Sequence, residues 1–347
     1  MHPTWRDVLT ATRAQLGEDG VPRFPESGPS STDGCRLFDL SHLGLIAVRG
    51  DDAADFLQGQ LTNDIRELSE THVQWSSHCS QKGRMLASFL VIRAGDAFYL
   101  QLPAQRVPEL LKRLRMFVLR SRVTLEDASD ELVRIALTGD CAAVLLAKRG
   151  LPVPDQANGL ALTDGLAVIR LSGHLPRLEL IGPPDSMREH WEAFRGTATP
   201  SNADGWTLLD IRAGIPTVYN QTADAFVPQM ANMQLIDGVS FNKGCYTGQE
   251  VVARMQYLGK LKRRMYLAEL ESDVPPQPGD GLVSASSASQ QGSGWVVSAS
   301  RTEDGRYELL AVVEINAAES GEVRLGEGGP LLRLKDPPYG FPAQAEP

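Results

Sequence analysis

The chain has 347 residues, 42% hydrophobic and 22% charged, the balance of a folded globular protein with room for about two or three domains. Its formal net charge of -9 argues against broad binding to a nucleic-acid backbone, no apolar run approaches the length of a membrane span, and Met1-His2-Pro3-Thr4-Trp5-Arg6-Asp7 lacks a basic region followed by an apolar core, so a secretory signal is not expected. Cys35, Cys79, Cys141 and Cys245 are scattered without a C-x-x-C pair, so no disulfide framework, zinc site or resident iron-sulfur cluster is expected, and the compartment reads as reducing.

Residues 4–16 fit a short amphipathic helix with Trp5, Val8, Leu9 and Leu16 on one side, and residues 17–34, rich in Gly, Pro and Ser, read as a linker. The folded body begins near Leu37. Residues 44–48 are a strand that Gly50-Asp51-Asp52 turns into a helix over 53–60, with an aspartate at its cap. Strands follow at 73–79, 85–92 and 98–102, joined by Gln81-Lys82-Gly83 and Ala94-Gly95-Asp96, a meander that indicates an antiparallel sheet. Residues 106–118 form a helix with an apolar stripe of Leu110, Leu111, Leu114, Phe117 and Val118. Lys112, Arg113, Arg115, Arg120 and Arg122 surround the stripe, either as a solvated face or as a landing site for a polyanion such as a polyglutamate tail or RNA.

Residues 133–146 repeat the strand-to-helix unit, because 50–57 and 139–146 share the glycine, the aspartate, two alanines and the leucine. This indicates an internal duplication of an α+β unit and places Cys141 in a first helical turn as a structural residue. Strands near 166–171 and 177–181 precede a helix capped by Asp185, and Asp204 can cap a further helix from Trp206 to Gly214. In the extended segment 225–234 the amides of Gln229, Asn232 and Gln234 can read a heteroaromatic ring's donor and acceptor edge, or serve as turn residues. A basic cluster, Lys260, Lys262, Arg263 and Arg264, leads into strands at 265–270, 281–284, 294–300, 309–313 and 322–325 that fit a small β-barrel, and the tail from Asp336 reads as extended or disordered.

The most informative stretch is Phe241-Asn242-Lys243-Gly244-Cys245-Tyr246-Thr247-Gly248-Gln249-Glu250. Thr247 and Glu250 have capping-box spacing, which predicts a helix over 248–258 with Val251, Val252 and Met255 facing inward and Gly259 as its stop. Cys245 then lies just before a helix N-terminus and beside Lys243, and both favour thiolate over thiol. Cysteines in tight loops are as a class more often buried and structural. Cap, cation and the flanking Gly244 and Gly248 together favour a reactive thiol here.

Lys243-Gly244-Cys245-Tyr246-Thr247-Gly248-Gln249-Glu250 resembles the signature of the YgfZ family, folate-binding proteins related to the glycine-cleavage T-protein and linked to iron-sulfur enzyme maintenance and tRNA modification. Phe226-Val227-Pro228-Gln229 with Asn232 and Gln234, His78-Cys79 with Lys82-Gly83-Arg84-Met85, and Ala213-Gly214-Ile215-Pro216 extend the likeness over roughly residues 37 to 335. The resemblance implies an α+β fold, a T-protein-like ring of three lobes with duplicated α+β units around a central folate channel and a C-terminal β-barrel. The expected organisation is 1–34 as N-terminal segment and linker, 35–258 as the folate-binding region with two interleaved lobes, 259–335 as the barrel and 336–347 as the tail.

Trp206 matches a tryptophan of the family's folate site, and an aromatic face suits a pterin, although helix packing explains a tryptophan there equally well. Leu43 stands where the family has a second aromatic contact. The T-protein's acidic pair after the hairpin turn has no counterpart in Gly83-Arg84-Met85-Leu86-Ala87-Ser88-Phe89, so aminomethyl transfer by that mechanism is not expected.

The resemblance therefore implies a protein that binds tetrahydrofolate or a one-carbon derivative and supports assembly or repair of iron-sulfur enzymes, and thereby tRNA modification. Cys245 is its reactive group and Lys243 the neighbouring cation. Trp206, Gln229, Asn232, Tyr246, Gln249 and Arg254 are the expected folate and thiol surroundings, with no metal. A folate-dependent aminomethyl- or methyltransferase and a tRNA-binding protein are the alternatives. Expected partners are folate, iron-sulfur client enzymes and a weak tRNA contact, with no membrane, for a monomer in the cytoplasm, or in the mitochondrial matrix of a eukaryote.

Overall fold

A computed structural model of the chain describes residues 1–25, 34–287 and 292–341. It begins with α1 (Pro3–Ala11) and a short hairpin, β1 (Gln15–Leu16) with β2 (Pro22–Arg23). The first large sheet is built from β4 (Leu43–Arg49), β5 (Gln74–Cys79), β6 (Met85–Ala94), β7 (Ala97–Pro103) and β8 (Thr124–Asp127), in the order β5-β6-β7-β4-β8. Helices α2 (Ala53–Gln58) and α3 (Val107–Arg115) cover one face, where Phe89, Val91, Leu110 and Leu114 share a core. The second sheet contains β3 (Arg36–Asp39), β9 (Val133–Thr138), β10 (Leu160–Thr163), β11 (Leu166–Leu171), β12 (Arg177–Gly182) and β13 (Thr199–Ser201), in the order β10-β11-β12-β9-β3-β13. It is backed by α1, α4 (Cys141–Lys148) and α5 (Pro184–Phe194) around Trp5 and Trp191.

The opposite faces of these sheets meet, with Leu45, Ala47, Leu90 and Ile92 from one and Ala136, Ala167, Ile169 and Ile181 from the other in a common core closed by α6 (Ala203–Arg212). After α7 (Gln249–Tyr257), the third sheet comprises β14 (Arg263–Leu270), β15 (Gly281–Val283), β16 (Gly294–Arg301), β17 (Tyr307–Glu314), β18 (Arg324–Leu325) and β19 (Arg333–Lys335), with α8 (Ile315–Ser320) between β17 and β18. Its order, β18-β15-β16-β17-β14-β19, leaves the two edge strands unpaired with each other, which makes a half-barrel. Three lobes, the first two built as duplicated α+β units, make up the α+β arrangement expected from the sequence. Among the described residues no helix is long and apolar enough to cross a membrane.

The duplication is visible in backbone detail. Gly50 (φ +117) and Gly139 (φ +90) make the same turn between strand and helix, and a Cβ on either would lie 2.2 Å from a carbonyl oxygen, that of Arg122 or of Gly34. The segment crossing each turn continues into a strand, β8 at the edge of the first sheet and β3, between β9 and β13, in the second. β3 precedes β4 in the chain yet pairs with β9, and β8 precedes β9 yet pairs with β4, so the two lobes have exchanged a strand. Asp39 and Asp127 end these strands in the same way, each carboxylate accepting from the amide two residues on, in Ser41 or Ser129, at 3.0 Å.

Several expectations need correction. Cys35 and Cys141 form a disulfide with Cα atoms 5.7 Å apart, a pairing hidden by their separation of 106 residues. Leu16 leaves the first helix for β1, and Phe24, in the stretch read as linker, is buried against Trp191. Residues 26–33 lie outside the described residues. None of the three aspartates acts as a side-chain cap. Asp52 instead accepts from the Arg122 amide at 2.8 Å, while α5 and α6 are preceded by Pro183 and Asn202. The tail packs back as far as Phe341, with the Tyr339 hydroxyl donating to Gly214 O at 3.0 Å and Phe341 lying against Tyr266. Residues 342–347 of that tail lie outside the described residues.

The clamp where a segment crosses the helix start thus differs between the lobes. In the first it is ionic, Asp52 with Arg122, and in the second covalent, Cys141 with Cys35. A cross-link over so long a loop stabilises chiefly by restricting the unfolded chain. Cys35→Ser is expected to lower stability by about 2–4 kcal/mol, and a reductant should lower the wild-type Tm towards that of the variant. Denaturant unfolding with and without dithiothreitol checks this, and a wild type indifferent to reductant would contradict it.

Candidate functional site

The cysteine loop is held by Lys243. This side chain is only 7% exposed, and its ammonium donates to Gln58 O at 2.8 Å, Leu61 O at 2.7 Å and Asn63 O at 2.8 Å, the carbonyls at and just past the C-terminal end of α2. Burial draws its pKa down to about 8, while Asp64 and the three carbonyls favour the charged form. An ammonium has three protons. With all three committed, Lys243 has none for Cys245, and its expected role as the thiol's cation is corrected to that of a structural tie.

Tyr246 is buried beneath it, its ring centroid 5.2 Å from Lys243 Nζ and its hydroxyl pKa pushed up by burial. Cys245 itself is exposed. The helix start also differs from expectation. Gly248 occupies the N-cap at φ +85, no side chain caps the helix, and α7 begins at Gln249, so Thr247 and Glu250 form no capping box. A Cβ at Gly248 would lie 2.4 Å from Ser80 O, which shows how closely the loop is seated on the turn between β5 and β6. Only Val252 of the expected inward face is buried; Gln249 is half-buried and Arg254 exposed.

The other expected folate contacts lie elsewhere. Gln229 is buried and donates to Val252 O at 2.7 Å, fastening α7 to the preceding loop. Asn232, in a left-handed conformation at φ +57, donates through Nδ2 to Met265 O at 2.8 Å and to the Tyr339 hydroxyl at 3.2 Å. Its amide joins the third lobe to the tail and has no free edge for a ligand. Trp206 is 1% exposed, with the Arg177 guanidinium 4.3 Å from one ring centroid and Phe38 beside it. That face is already occupied, so Trp206 packs the interlobe core and is not an open stacking platform.

Between the first two sheets lies a polar cluster that the sequence reading missed. Alternate residues of β12, Arg177, Glu179 and Ile181, and of β9, Arg134, Ala136 and Thr138, project toward β7, which contributes Tyr99 and Gln101. At the outer end a cavity of about 450 Å³ is bordered by Tyr99, Ile92, Leu132, Ala167, Leu166 and Ile181. One step inward, Gln101 Nε2 donates to Glu179 Oε2 at 3.1 Å. At the inner end Arg177 pairs with Asp210 against Trp206. Burial pushes the Glu179 carboxyl up to about 7, with Gln101 and Arg134 pulling the other way.

Six buried atoms here meet no partner among the described residues: Arg134 Nε and Nη1, Arg177 Nε, Thr138 Oγ1, Gln101 Oε1 and Glu179 Oε1. Unsatisfied buried groups are uncommon, and this concentration of donors and acceptors has the composition of a recognition surface. The signal in the sequence was charge at alternate positions within strands too apolar to be surface strands, Arg177-Leu178-Glu179-Leu180 above all.

The chain is similar to known proteins along nearly its whole length. Residues 31–153 match the family model of the GCVT N-terminal domain. The tRNA-modifying protein YgfZ of Colwellia psychrerythraea is 32% identical over 86% of this chain and 88% of its own. The Klebsiella pneumoniae protein of the same name is 30% identical over 91% and 97%. Among solved structures, the glycine cleavage system aminomethyltransferase T of Bartonella henselae superposes with a TM-score of 0.76, covering 98% of this chain and 97% of that one at 18% identity.

Two outcomes test the assignments at the loop. Lys243→Met should strand three carbonyls and cost about 3 kcal/mol of stability, whereas Cys245→Ser, at an exposed position, should leave the unfolding midpoint unchanged; equal effects would contradict the structural role of Lys243. His78, whose pKa burial pulls from 6.5 down to about 4, contributes stability that is complete above about pH 6.5 and lost as pH falls towards about 4. Unfolding at pH 7 and pH 4.5 should therefore show a smaller loss in His78→Gln than in the wild type.

Proposed function

Because the chain belongs to the YgfZ family, we propose that it binds a reduced folate between its first two lobes and supports the assembly or repair of iron-sulfur enzymes, including those that modify tRNA. The observation that carries the folate reading is the interlobe cluster. A pterin presents neighbouring donors and acceptors on one edge and an apolar face, and the cluster offers unpaired partners of both kinds beside an apolar cavity. Glu179, Gln101, Arg134 and Arg177 would hold the pterin edge, and Tyr99, Ile92 and Ile181 would enclose the rest of the ring system. Bound tetrahydrofolate would supply a one-carbon carrier nitrogen.

This assignment replaces Trp206 and Asn232 as direct ligands, since the ring face of one and the amide of the other are used within the protein, and sets aside Gln229, whose Nε2 donates to Val252 O while its Oε1 is buried without a partner among the described residues. Cys245 remains the reactive group of the reading, exposed on a loop that its buried neighbours immobilise. The relatives' designation as tRNA-modifying proteins supports an effect on tRNA, and the overall negative charge favours one exerted through client enzymes over direct RNA binding.

Isothermal titration with tetrahydrofolate tests the site. The wild type should bind saturably, Glu179→Gln should weaken binding about tenfold or more by replacing a charged acceptor, and Cys245→Ser should bind normally. A wild type that does not bind, or a Glu179→Gln variant that binds equally well, would remove the interlobe cluster as the folate site. In cells lacking the protein, Cys245→Ser should fail to restore iron-sulfur-dependent tRNA methylthiolation.

A further inference from the structure

Outside both the interlobe cluster and the cysteine loop, a cavity of about 240 Å³ opens beside α3, with Arg106, Lys112, Arg113, Glu109, Leu86 and Met116 on its walls. Three cations face one carboxylate there. Arg106 is 7% exposed; Nη1 donates to Asn220 Oδ1 at 2.8 Å and Nη2 to Leu86 O at 2.8 Å, while Nε is buried without a partner. Both accepting groups are neutral. Burial pulls its pKa down, and only Glu109 opposes that pull.

Arg113 Nε donates to His78 Nε2 at 3.0 Å, and His78 is a neutral acceptor because burial holds its pKa near 4. Lys112 projects from the exposed side of α3. Elsewhere Arg49, Arg122, Arg177 and Arg306 each meet a carboxylate. Among the described residues none of the three cations around this cavity does so. In a chain with net charge -9, three cations without a carboxylate partner converging on one hollow, one of them desolvated, make a positively charged recess suited to an anion.

We propose that this cavity binds the oxyanion of a small ligand, the carboxylate of a glutamyl group or a phosphate, with Lys112 and Arg113 as charged donors and Arg106 behind them. The volume exceeds what a bare oxyanion fills, and Leu86 and Met116 offer apolar surface to methylene groups beside the charge. Arg115, although on the same helix, is not part of the site, because its guanidinium is committed to Leu125 O. The site does not depend on a pterin binding between the lobes.

The test uses the full chain with inorganic phosphate, glutamate and γ-glutamylglutamate as separate probes, followed by saturation-transfer NMR and, for phosphate, by phosphorus line broadening. Saturable binding is expected, weakened about tenfold by Lys112→Ala, weakened by added NaCl, and strengthened by Glu109→Gln, which removes the opposing charge. Preference for the glutamyl probes would identify a ligand with a carboxylate chain, and preference for phosphate a phosphorylated one; either supports the site. Lys112 and Glu109 are exposed, so neither substitution depends on the protein tolerating loss of a buried group. Absence of saturable binding by all three probes, or binding indifferent to both substitutions, would overturn the proposal.

Discussion

One buried ammonium group holds the cysteine loop to the rest of the molecule. The carbonyls of Gln58, Leu61 and Asn63 point outward at the end of a short helix and the turn after it, where backbone acceptors usually go to water or to a glycine-based cap. Lys243 arrives from 180 to 185 residues later and satisfies all three at once. The cation also meets the negative end of the helix dipole, so charge and hydrogen bonding act in the same direction. Tyr246 seals the ammonium from one side, and Gly248 allows the next turn of backbone to settle on the β5–β6 hairpin. An exposed thiol is thereby presented from a rigid base. Its mobility is limited by residues two and three positions away, Lys243 and Gly248.

The interlobe cluster follows a different logic. Charged side chains at the centre of a protein are rarely the most stable choice for that volume, because desolvation offsets most of the attraction between them. Arg134, Arg177 and Glu179 occupy such a centre, and part of their hydrogen-bonding capacity is unused. A site of this kind trades folding energy for readiness to pair with something else. The disposition of the charges follows from the exchanged-strand architecture, which brings two sheets face to face and lets the alternating side of each strand look into the same gap.

Much of the fold was legible because local chemistry and global arrangement agree. The repeated Gly-Asp turn with its two alanines marks the duplicated strand and helix, and the structure shows why glycine is required, since another backbone crosses where a side chain would stand. The hairpin glycines, Gly83 and Gly95, were readable for the same reason. Helix starts were less legible. Asp52 and Asn202 sit beside helix N-termini, but their side chains serve Arg122 and the Phe24 amide, partners far away in the chain. The Cys35 and Cys141 pairing is likewise invisible to spacing. At the site, the cysteine loop is marked by its own residues, whereas an aromatic ring or an amide such as Trp206, Gln229 or Asn232 looks the same in sequence whether it faces a ligand or, as the Trp206 ring and the Nδ2 of Asn232 do, the protein's own groups. The decisive charges of β9 and β12 were present in the sequence but meaningful only once two strands were known to face a third across a gap.

The exchange of β3 and β8 has a consequence for how the protein is made. As the chain leaves the ribosome, β3 appears first and has nothing to pair with until β9 follows, while β4 to β7 assemble into a sheet that still lacks its last strand, β8. The first sheet can close only once β8, ending at residue 127, is available, and β3 can pair only once β9, ending at residue 138, follows, so loss of the first lobe's integrity during synthesis also deprives the second of a strand. During that interval two open strand edges are available to mispair with each other or with another nascent chain. Elongation speed across residues 100–138 and early shielding by chaperones are therefore expected to govern yield more strongly than the final stability of the folded protein.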